Sequence, residues 1–144
     1  MSFTELPTWM LSQAQQRAHT ILADRLAQAG ARGYEFRILD ALAEHAPLSQ
    51  VAVGSLARLD RRDVTVTLTA LSDAGLIERH SDPEDARRNV VTLTESGRAR
   101  FEELSRIVAD AQEAIFDPLD DDSRTAFLAA LRILAPVGAA SDLA

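Results

Sequence analysis

The sequence predicts a mainly α (α+β) fold with one small β-sheet. Apolar residues recur every three or four positions along most of the chain, which indicates amphipathic helices, and strand-like composition is confined to residues 76–93. At 144 residues and 47% hydrophobic content, the chain has the size of a single domain with its own core.

The first two predicted helices are amphipathic and end at helix-breaking residues. The first runs from Leu11 to near Gly30, and the second follows Gly33 and stops before Pro47. Their apolar faces are Leu11, Ala14, Ala18, Ile21, Leu22 and Leu26, then Phe36, Leu39, Leu42, Ala43 and Ala46. The first helix is longer than a small core requires.

Two shorter helices follow. Ser49 is expected to cap the third, which carries Val51, Val53, Leu56 and Leu59, and its Gly54 indicates close approach to a neighbouring element. Asp60 is expected to cap the fourth, whose inward face is formed by Val64, Leu68 and Leu71.

The outward face of the fourth helix carries side chains that can read a DNA major groove. Arginines bond guanine or phosphate, threonine hydroxyls bond either, and the methyl groups of Val66 and Thr69 can touch thymine. This face is formed by Arg61, Arg62, Thr65, Val66 and Thr69. An ordinary solvated helix face is the alternative, and the hairpin that follows favours DNA.

Residues 76–80 and 90–93 have strand composition, and the loop between them is polar, which predicts a β-hairpin. Val91 and Leu93 are expected to alternate inward. Three short helices followed by such a hairpin are typical of a winged helix-turn-helix, whose wing arginines enter the minor groove or bind phosphate. We therefore predict a winged helix-turn-helix with a two- to three-stranded β-wing and long N- and C-terminal helices.

The last third of the chain predicts two more helices. The first has the seam Phe101, Leu104, Val108, Ala111 and Ile115, and Pro118 ends it. Asp120–Ser123 opens the second. Three consecutive aspartates could form a metal cluster, but carboxylates at a helix N-terminus complement the helix dipole without an ion, so no metal or cofactor is expected.

The net charge of −7 opposes binding to DNA, although its distribution softens the objection. Residues 1–48 contain 4 arginines and 5 acidic residues, and residues 49–94 contain 6 arginines and 7 acidic residues. Residues 95–144 contain 5 arginines and 10 acidic residues. Most of the excess acid therefore belongs to the last third, which is expected to lie away from DNA.

Several classes of protein are excluded by what the sequence lacks. There is no cysteine, no signal peptide and no apolar segment long enough to span a bilayer, so we expect a cytoplasmic protein without a membrane partner. Catalytic motifs are missing, and His19, His45 and His80 lack metal-ligand spacing. An enzyme is not expected.

Two motifs resemble the MarR (multiple antibiotic resistance regulator) family of bacterial transcription factors. Leu71, Gly75-Leu76-Ile77 and Arg79 are similar to the family's L-x-x-x-G-L-I-x-R run. Asp85-Ala86-Arg87, Val91-Thr92-Leu93-Thr94 and Gly97 are similar to its wing signature, D-x-R-x-x-x-V-x-L-T-x-x-G. One departure concerns the recognition helix, where many relatives carry Ser-Thr-Val-Thr-Arg and this chain has Arg62-Asp63-Val64-Thr65-Val66. We therefore expect the bases that are read to differ from those read by such relatives.

The resemblance implies roles for the wing. Asp85 would position it by pairing with Arg87 or a neighbouring arginine, Arg87 would enter the minor groove, and Arg88 would contact phosphate. A salt-bridged surface turn is the alternative. At the start of the third helix, Ser49 and Gln50 are expected to contact the DNA backbone.

It also implies a homodimer. Within one domain, 1–144, residues 34–97 would form the DNA-binding lobe, and residues 1–30 and 98–144 the dimerisation helices. The expected function is a regulator, a repressor of a pseudo-palindromic operator in double-stranded DNA with half-sites about 10 bp apart. The alternative is a winged-helix protein-interaction module that does not bind DNA.

Relatives often bind small anionic or phenolic effectors where the dimer helices meet the DNA-binding lobe. The candidate effector contacts in this chain are Trp9, Arg17, His19, Tyr34 and Arg37. Packing roles for the two aromatic residues and solvation of the arginines are the alternative interpretations.

Overall fold

The computed structural model describes residues 1–135; residues 136–144, the end of the segment predicted to dimerise, lie outside the described part. A short 3-10 helix, Phe3–Glu5, precedes the helices α1 Pro7–Gln28, α2 Gly33–His45, α3 Gln50–Ala57, α4 Arg61–Asp73, α5 Glu95–Phe116 and α6 Asp121–Leu134. The strands are β1 Leu48–Ser49, β2 Ile77–Ser81 and β3 Asn89–Leu93. The predicted winged-helix order of elements is confirmed. No helix in residues 1–135 is long and apolar enough to cross a membrane.

The chain divides into two compact units. One contains Met1–Gln28 and the chain from Ile107 onward, and the other contains Ala29–Arg106. The second unit holds α2, α3, α4, the three strands and the N-terminal half of α5.

The core of the second unit lies among α2, α3, α4 and the sheet. Its fully buried side chains include Ile38, Leu39, Leu42, Val53, Val64, Leu68 and Val91. Burial of each such side chain contributes roughly 1.5–3 kcal/mol. The predicted inward face of α4 is confirmed, because Val64, Leu68 and Leu71 are all buried.

The helix-turn-helix elements begin at the predicted caps. Ser49 Oγ accepts the N–H of Ala52 at 3.2 Å, and Asp60 Oδ1 accepts that of Asp63 at 2.8 Å. Gly54 allows α3 and α4 to approach, since a Cβ there would lie 3.3 Å from a methyl of Val64. Each cap satisfies a helix N–H that would otherwise lack a partner.

The three strands form an antiparallel sheet in the order β1-β3-β2. Ile77 pairs with Leu93, and Val90 pairs with both Ser49 and His80. The predicted alternation along β3 is wrong in part, because Val90 and Val91 are both buried whereas Leu93 is only half-buried. Val90 points to the opposite face from Val91, and on that face it lies between its cross-strand neighbours Ser49 and His80, which shield it from solvent.

The wing joins α5 through a close contact that only glycine permits. Thr94 Oγ1 donates to the Gly75 carbonyl at 2.7 Å and accepts the N–H of Gly97 at 3.0 Å, while Thr94 N–H donates to the Leu76 carbonyl at 3.1 Å. A Cβ on Gly97 would overlap the Leu76 carbonyl. Gly75 has φ +72°, which also favours glycine. The two family-like motifs therefore meet at this junction, where Gly75 and Leu76 of the first contact Thr94 and Gly97 of the second.

The first unit is held by polar contacts at helix ends. Arg17 Nη1 donates to the Ile115 carbonyl at 2.8 Å, and Arg124 forms two hydrogen bonds to the Glu113 carboxylate at 2.8 and 2.9 Å. Asp120 Oδ1 accepts the N–H of Ser123 at 2.7 Å and thereby caps α6, the helix predicted to open at Asp120–Ser123. That main-chain hydrogen bond lowers the pKa of Asp120, so its contribution to stability is lost as the pH falls through the lowered value.

Gly97→Ala is expected to destabilise the protein by about 1–3 kcal/mol, because the added methyl group meets a main-chain carbonyl that cannot move freely. Urea unfolding at fixed protein concentration measures the change. Gly33→Ala is the matched control, since a Cβ there has no neighbour within 4 Å, and its free energy of unfolding should be unchanged or slightly higher. Equal effects of the two substitutions would contradict this account of the junction.

Candidate nucleic-acid interface

The outward face of α4 is exposed along its whole length. It presents Arg61, Arg62, Thr65, Val66 and Thr69. Val66, on the polar side of this amphipathic helix, keeps 63% of its surface in contact with solvent. The five residues predicted to face the major groove therefore share one accessible surface.

A chain of hydrogen bonds links α3, α4 and the wing. Gln50 Nε2 donates to Thr65 Oγ1 at 2.7 Å, and Gln50 Oε1 accepts from Arg79 Nη1 at 3.4 Å. Gln50 thus connects the recognition helix to β2. Its side-chain amide has a structural role that the sequence prediction did not include.

The turn between α3 and α4 is held by a residue of α2. Arg37 Nη2 donates to the Arg58 carbonyl at 2.6 Å, and Arg58 adopts the left-handed conformation with φ +54°. The predicted third helix extended to Leu59, but α3 ends at Ala57 because this conformation stops it. A charged donor to a carbonyl offsets the cost of a non-glycine residue in that conformation.

The wing turn is organised by main-chain contacts of two aspartates. Asp85 Oδ1 accepts the N–H of Arg87 at 3.0 Å, and Asp82 Oδ1 accepts that of Glu84 at 3.0 Å. The implied pairing of Asp85 with an arginine side chain is wrong; the salt bridge in the turn joins Arg88 to Asp82 at 4.0 Å. Asp85 precedes Arg87 by two residues, the spacing at which an aspartate carboxylate accepts a main-chain N–H in a tight turn.

Within residues 1–135, the outward face of α4 and the wing carry arginines that form no salt bridge with a carboxylate. In the described part of the chain, the arginines that form salt bridges are Arg88, Arg100 and Arg124. Arg61, Arg62 and Arg87 are outside that set and exposed. Such charges are available to phosphates or guanines.

Arg100 is a residue whose importance sequence reasoning missed. Its guanidinium donates to Glu35 at 3.0 Å, to Glu103 at 3.1 Å and to the Ala29 carbonyl at 2.9 Å. The hydrogen bond to Glu35 is the main cause that raises the pKa of Arg100. α5 is thereby tied to α2, although the wide sequence separation left no local signal of the contact.

The effector candidates fall on both units. In the first, Trp9 packs edge-on against Phe3 with ring centroids 5.0 Å apart, Arg17 bonds the end of α5, and His19 is exposed. In the second, the guanidinium of Arg37 lies 5.8 Å from the centre of the Tyr34 ring.

The architecture has clear relatives. Residues 31–88 match the model of the MarR family. FarR of Neisseria gonorrhoeae, an HTH-type transcriptional regulator, is 32% identical over 109 residues that cover 76% of this chain and 75% of FarR. The chain belongs to the MarR family. It is a transcriptional regulator, and the resemblance in its two motifs is confirmed.

Solved structures of MarR-type regulators share the fold. BpsR of Bordetella bronchiseptica, whose DNA binding is regulated by 6-hydroxynicotinic acid, matches with a TM-score of 0.81 and 27% identity, covering 94% of this chain and 97% of BpsR. The transcriptional repressor CouR, bound to a 23-mer DNA duplex, matches with a TM-score of 0.80 and 26% identity, covering 92% of this chain and 94% of CouR. The winged-helix fold of this MarR-family chain is therefore confirmed.

Asp85→Ala should accelerate hydrogen exchange at the Arg87 amide by roughly twofold to tenfold, because the hydrogen bond lost is worth about 0.5–1.5 kcal/mol. Asp85→Asn is the matched control: it removes the charge but keeps an oxygen acceptor, so exchange should stay near that of the unaltered regulator. NMR-detected exchange measures both variants. If asparagine behaved like alanine, charge pairing and not the main-chain contact would order the wing.

Proposed function

We propose that this MarR-family regulator is a homodimeric repressor that binds a pseudo-palindromic operator, with α4 in the major groove and the wing in the minor groove. The observation that carries the proposal is the exposed face of α4, whose arginines lack carboxylate partners within residues 1–135. Arginine at the start of a recognition helix is suited to guanine or phosphate.

The proposed DNA contacts divide by role. Arg61, Arg62, Thr65, Val66 and Thr69 face base edges, and Arg87 and Arg88 extend from the wing to the minor groove and phosphate. Asp85 positions Arg87 through the main chain. At the start of α3, Ser49 and Gln50 are assigned to the DNA backbone, although the Gln50 amide already bonds Thr65 and Arg79. CouR, which shares the fold, is bound to a DNA duplex, and this supports DNA as the partner.

The acidic balance favours specific over non-specific binding. With a net charge of −7, the protein gains little from phosphate attraction alone, so its affinity must come from a few placed arginines. Residues 95–144 carry 5 arginines and 10 acidic residues, and we assign them to the side of the dimer away from DNA.

A second copy of the chain is the proposed partner of the first unit. In its described residues, large apolar side chains remain exposed: Met1, Phe3, Leu6, Trp9, Met10, Leu11, Leu119, Ile133 and Leu134. A surface of this kind is typical of a protein interface. Two-fold symmetry then sets half-sites about 10 bp, one helical turn, apart.

We also propose that a small anionic or phenolic effector releases the operator. Within residues 1–135, Arg17 and Arg37 each bond a main-chain carbonyl and no carboxylate, so each retains positive charge for an anion. Trp9, His19 and Tyr34 are the other candidate contacts. BpsR responds to 6-hydroxynicotinic acid, an aromatic carboxylic acid with a ring hydroxyl, which makes this compound the first probe.

A gel-shift series against the DNA upstream of the protein's own gene tests the proposal. We expect a discrete, sequence-dependent shift whose affinity falls steeply as salt rises, because arginine contacts release counterions. Adding 6-hydroxynicotinate should reduce the shifted fraction if the effector class is correct, and by linkage DNA should weaken effector binding by the same factor.

Each negative result has a distinct meaning. The lack of any shift at low salt, or a shift without sequence preference, would reject specific DNA binding and favour the protein-interaction module. A normal shift that ignores the compound would reject only this effector.

Arg62→Ala and Arg87→Ala should impair operator binding in different ways. Arg62→Ala should relax the preference for one guanine by about 1–3 kcal/mol, whereas Arg87→Ala should weaken binding and its dependence on minor-groove width. Competition with single-base operator variants measures the difference, with size-exclusion chromatography to verify the dimer. Arg25→Ala, an exposed arginine of α1, controls for the loss of one charge. Losses equal to that control would place neither arginine at the DNA.

A further inference from the structure

Both threonines on the outward face of α4 use their hydroxyl protons within the helix. Thr65 Oγ1 donates to the Arg61 carbonyl at 2.8 Å, and Thr69 Oγ1 donates to the Thr65 carbonyl at 2.8 Å. A threonine hydroxyl has a single proton. Neither hydroxyl can therefore donate to a base without breaking a hydrogen bond that α4 already makes.

Thr65 is restrained further by α3. Its Oγ1 accepts from Gln50 Nε2 at 2.7 Å, so one of its two lone pairs is occupied as well. Gln50 Oε1 in turn accepts a hydrogen bond from Arg79 Nη1. The hydroxyl of Thr65 belongs to a network that links the helix-turn-helix and the wing, so it cannot donate to DNA, and only one lone pair and its methyl group remain free to meet a base.

Methyl groups are what this face offers beyond its first turn. Val66 carries two and is 63% exposed, and each threonine carries one. Residues three and four apart share one helix face, so residues 65, 66 and 69 form a continuous apolar strip. An isolated exposed valine is ordinary on a protein surface, but three adjacent methyl-bearing side chains on a recognition helix form a specific surface.

Charged and apolar residues occupy different ends of the outward face of α4. Arg61 and Arg62 stand at its N-terminal end, and the methyl-bearing residues follow toward the C-terminus. At 1.5 Å per residue, positions 62–69 span about 10 Å, close to three base pairs at 3.4 Å each. One guanine contact and two methyl contacts therefore fit within one half-site.

We infer that α4 identifies its half-site by methyl contacts: the side-chain methyl groups of Thr65, Val66 and Thr69 recognise the C5-methyl groups of two successive thymines beside a guanine. This inference rests on the proposed function. In the major groove, thymine alone among the four bases presents a methyl group. The threonines act through Cγ2, and their hydroxyls act inside the helix.

Deoxyuridine provides the direct test. The operator half-site is first defined by in vitro selection with the full-length protein, and each thymine is then replaced singly by deoxyuridine, which lacks only the C5-methyl group. At two adjacent positions the affinity should fall about fourfold each, equivalent to ~0.8 kcal/mol for one buried methyl group. At other thymines it should change less than twofold.

Matched variants separate methyl from hydroxyl. Thr69→Ser removes only the methyl group, and Thr69→Val keeps a methyl group and removes the hydroxyl. We expect Thr69→Ser to weaken DNA binding, and the affinity of this variant should not change when the thymine that residue 69 contacts is replaced by deoxyuridine. Thr69→Val should keep both the affinity and the response to deoxyuridine. Val66→Ala should behave like Thr69→Ser. Circular dichroism melting checks that each variant is folded.

Three results would overturn the inference. The first is equal affinity for deoxyuridine and thymine at every position, and the second is a selected half-site without thymine. The third is a loss of affinity in Thr69→Val but not in Thr69→Ser. In each of these, sequence-specific binding persists and the proposed function stands. A selection that recovers no preferred sequence would instead reject the proposed function, and this inference with it.

Discussion

The recognition helix is held by side chains from two other helices, and the rest of the interface depends on that support. Arg37 of α2 bonds the Arg58 carbonyl in the turn before α4, and Gln50 of α3 bonds Thr65 within it. The first contact is a charge-assisted hydrogen bond of about 1.5–3 kcal/mol, comparable to the cost of a left-handed non-glycine residue at Arg58. Asp60 then starts α4 two residues later, which directs Arg61 and Arg62 outward.

The wing depends on a second support, at its base. Thr94 and Gly97 bring the start of α5 against the main chain of Gly75 and Leu76, and Arg100 ties the same helix to Glu35 on α2. Within residues 1–135, the loop at the other end of the strands is ordered by short-range contacts such as that of Asp85. A firm base with a locally ordered tip is suited to an arm that must adapt to a DNA groove.

An acidic protein that binds DNA must place its positive charge with care. Among the described residues, Arg61, Arg62 and Arg87 form no salt bridge, whereas Arg88 pairs with Asp82, and Arg100 and Arg124 pair with glutamates. Internal hydrogen bonds likewise determine which groups of the α4 threonines remain available. Their hydroxyl protons are used inside α4, and their methyl groups stay accessible. The proposed specificity therefore depends on which groups the fold leaves unpaired.

The six helices, the caps at Ser49 and Asp60, and the family were all predictable from the sequence, because periodicity, capping and the wing motif are local signals. The burial of Val90, the early end of α3 and the partner of Asp85 were not, since each depends on a neighbouring strand or on the backbone conformation of a turn. The sequence by itself determined which residue types line α4. Only the tertiary structure decided which of their atoms remain free for DNA, because hydrogen bonds link positions far apart in the chain.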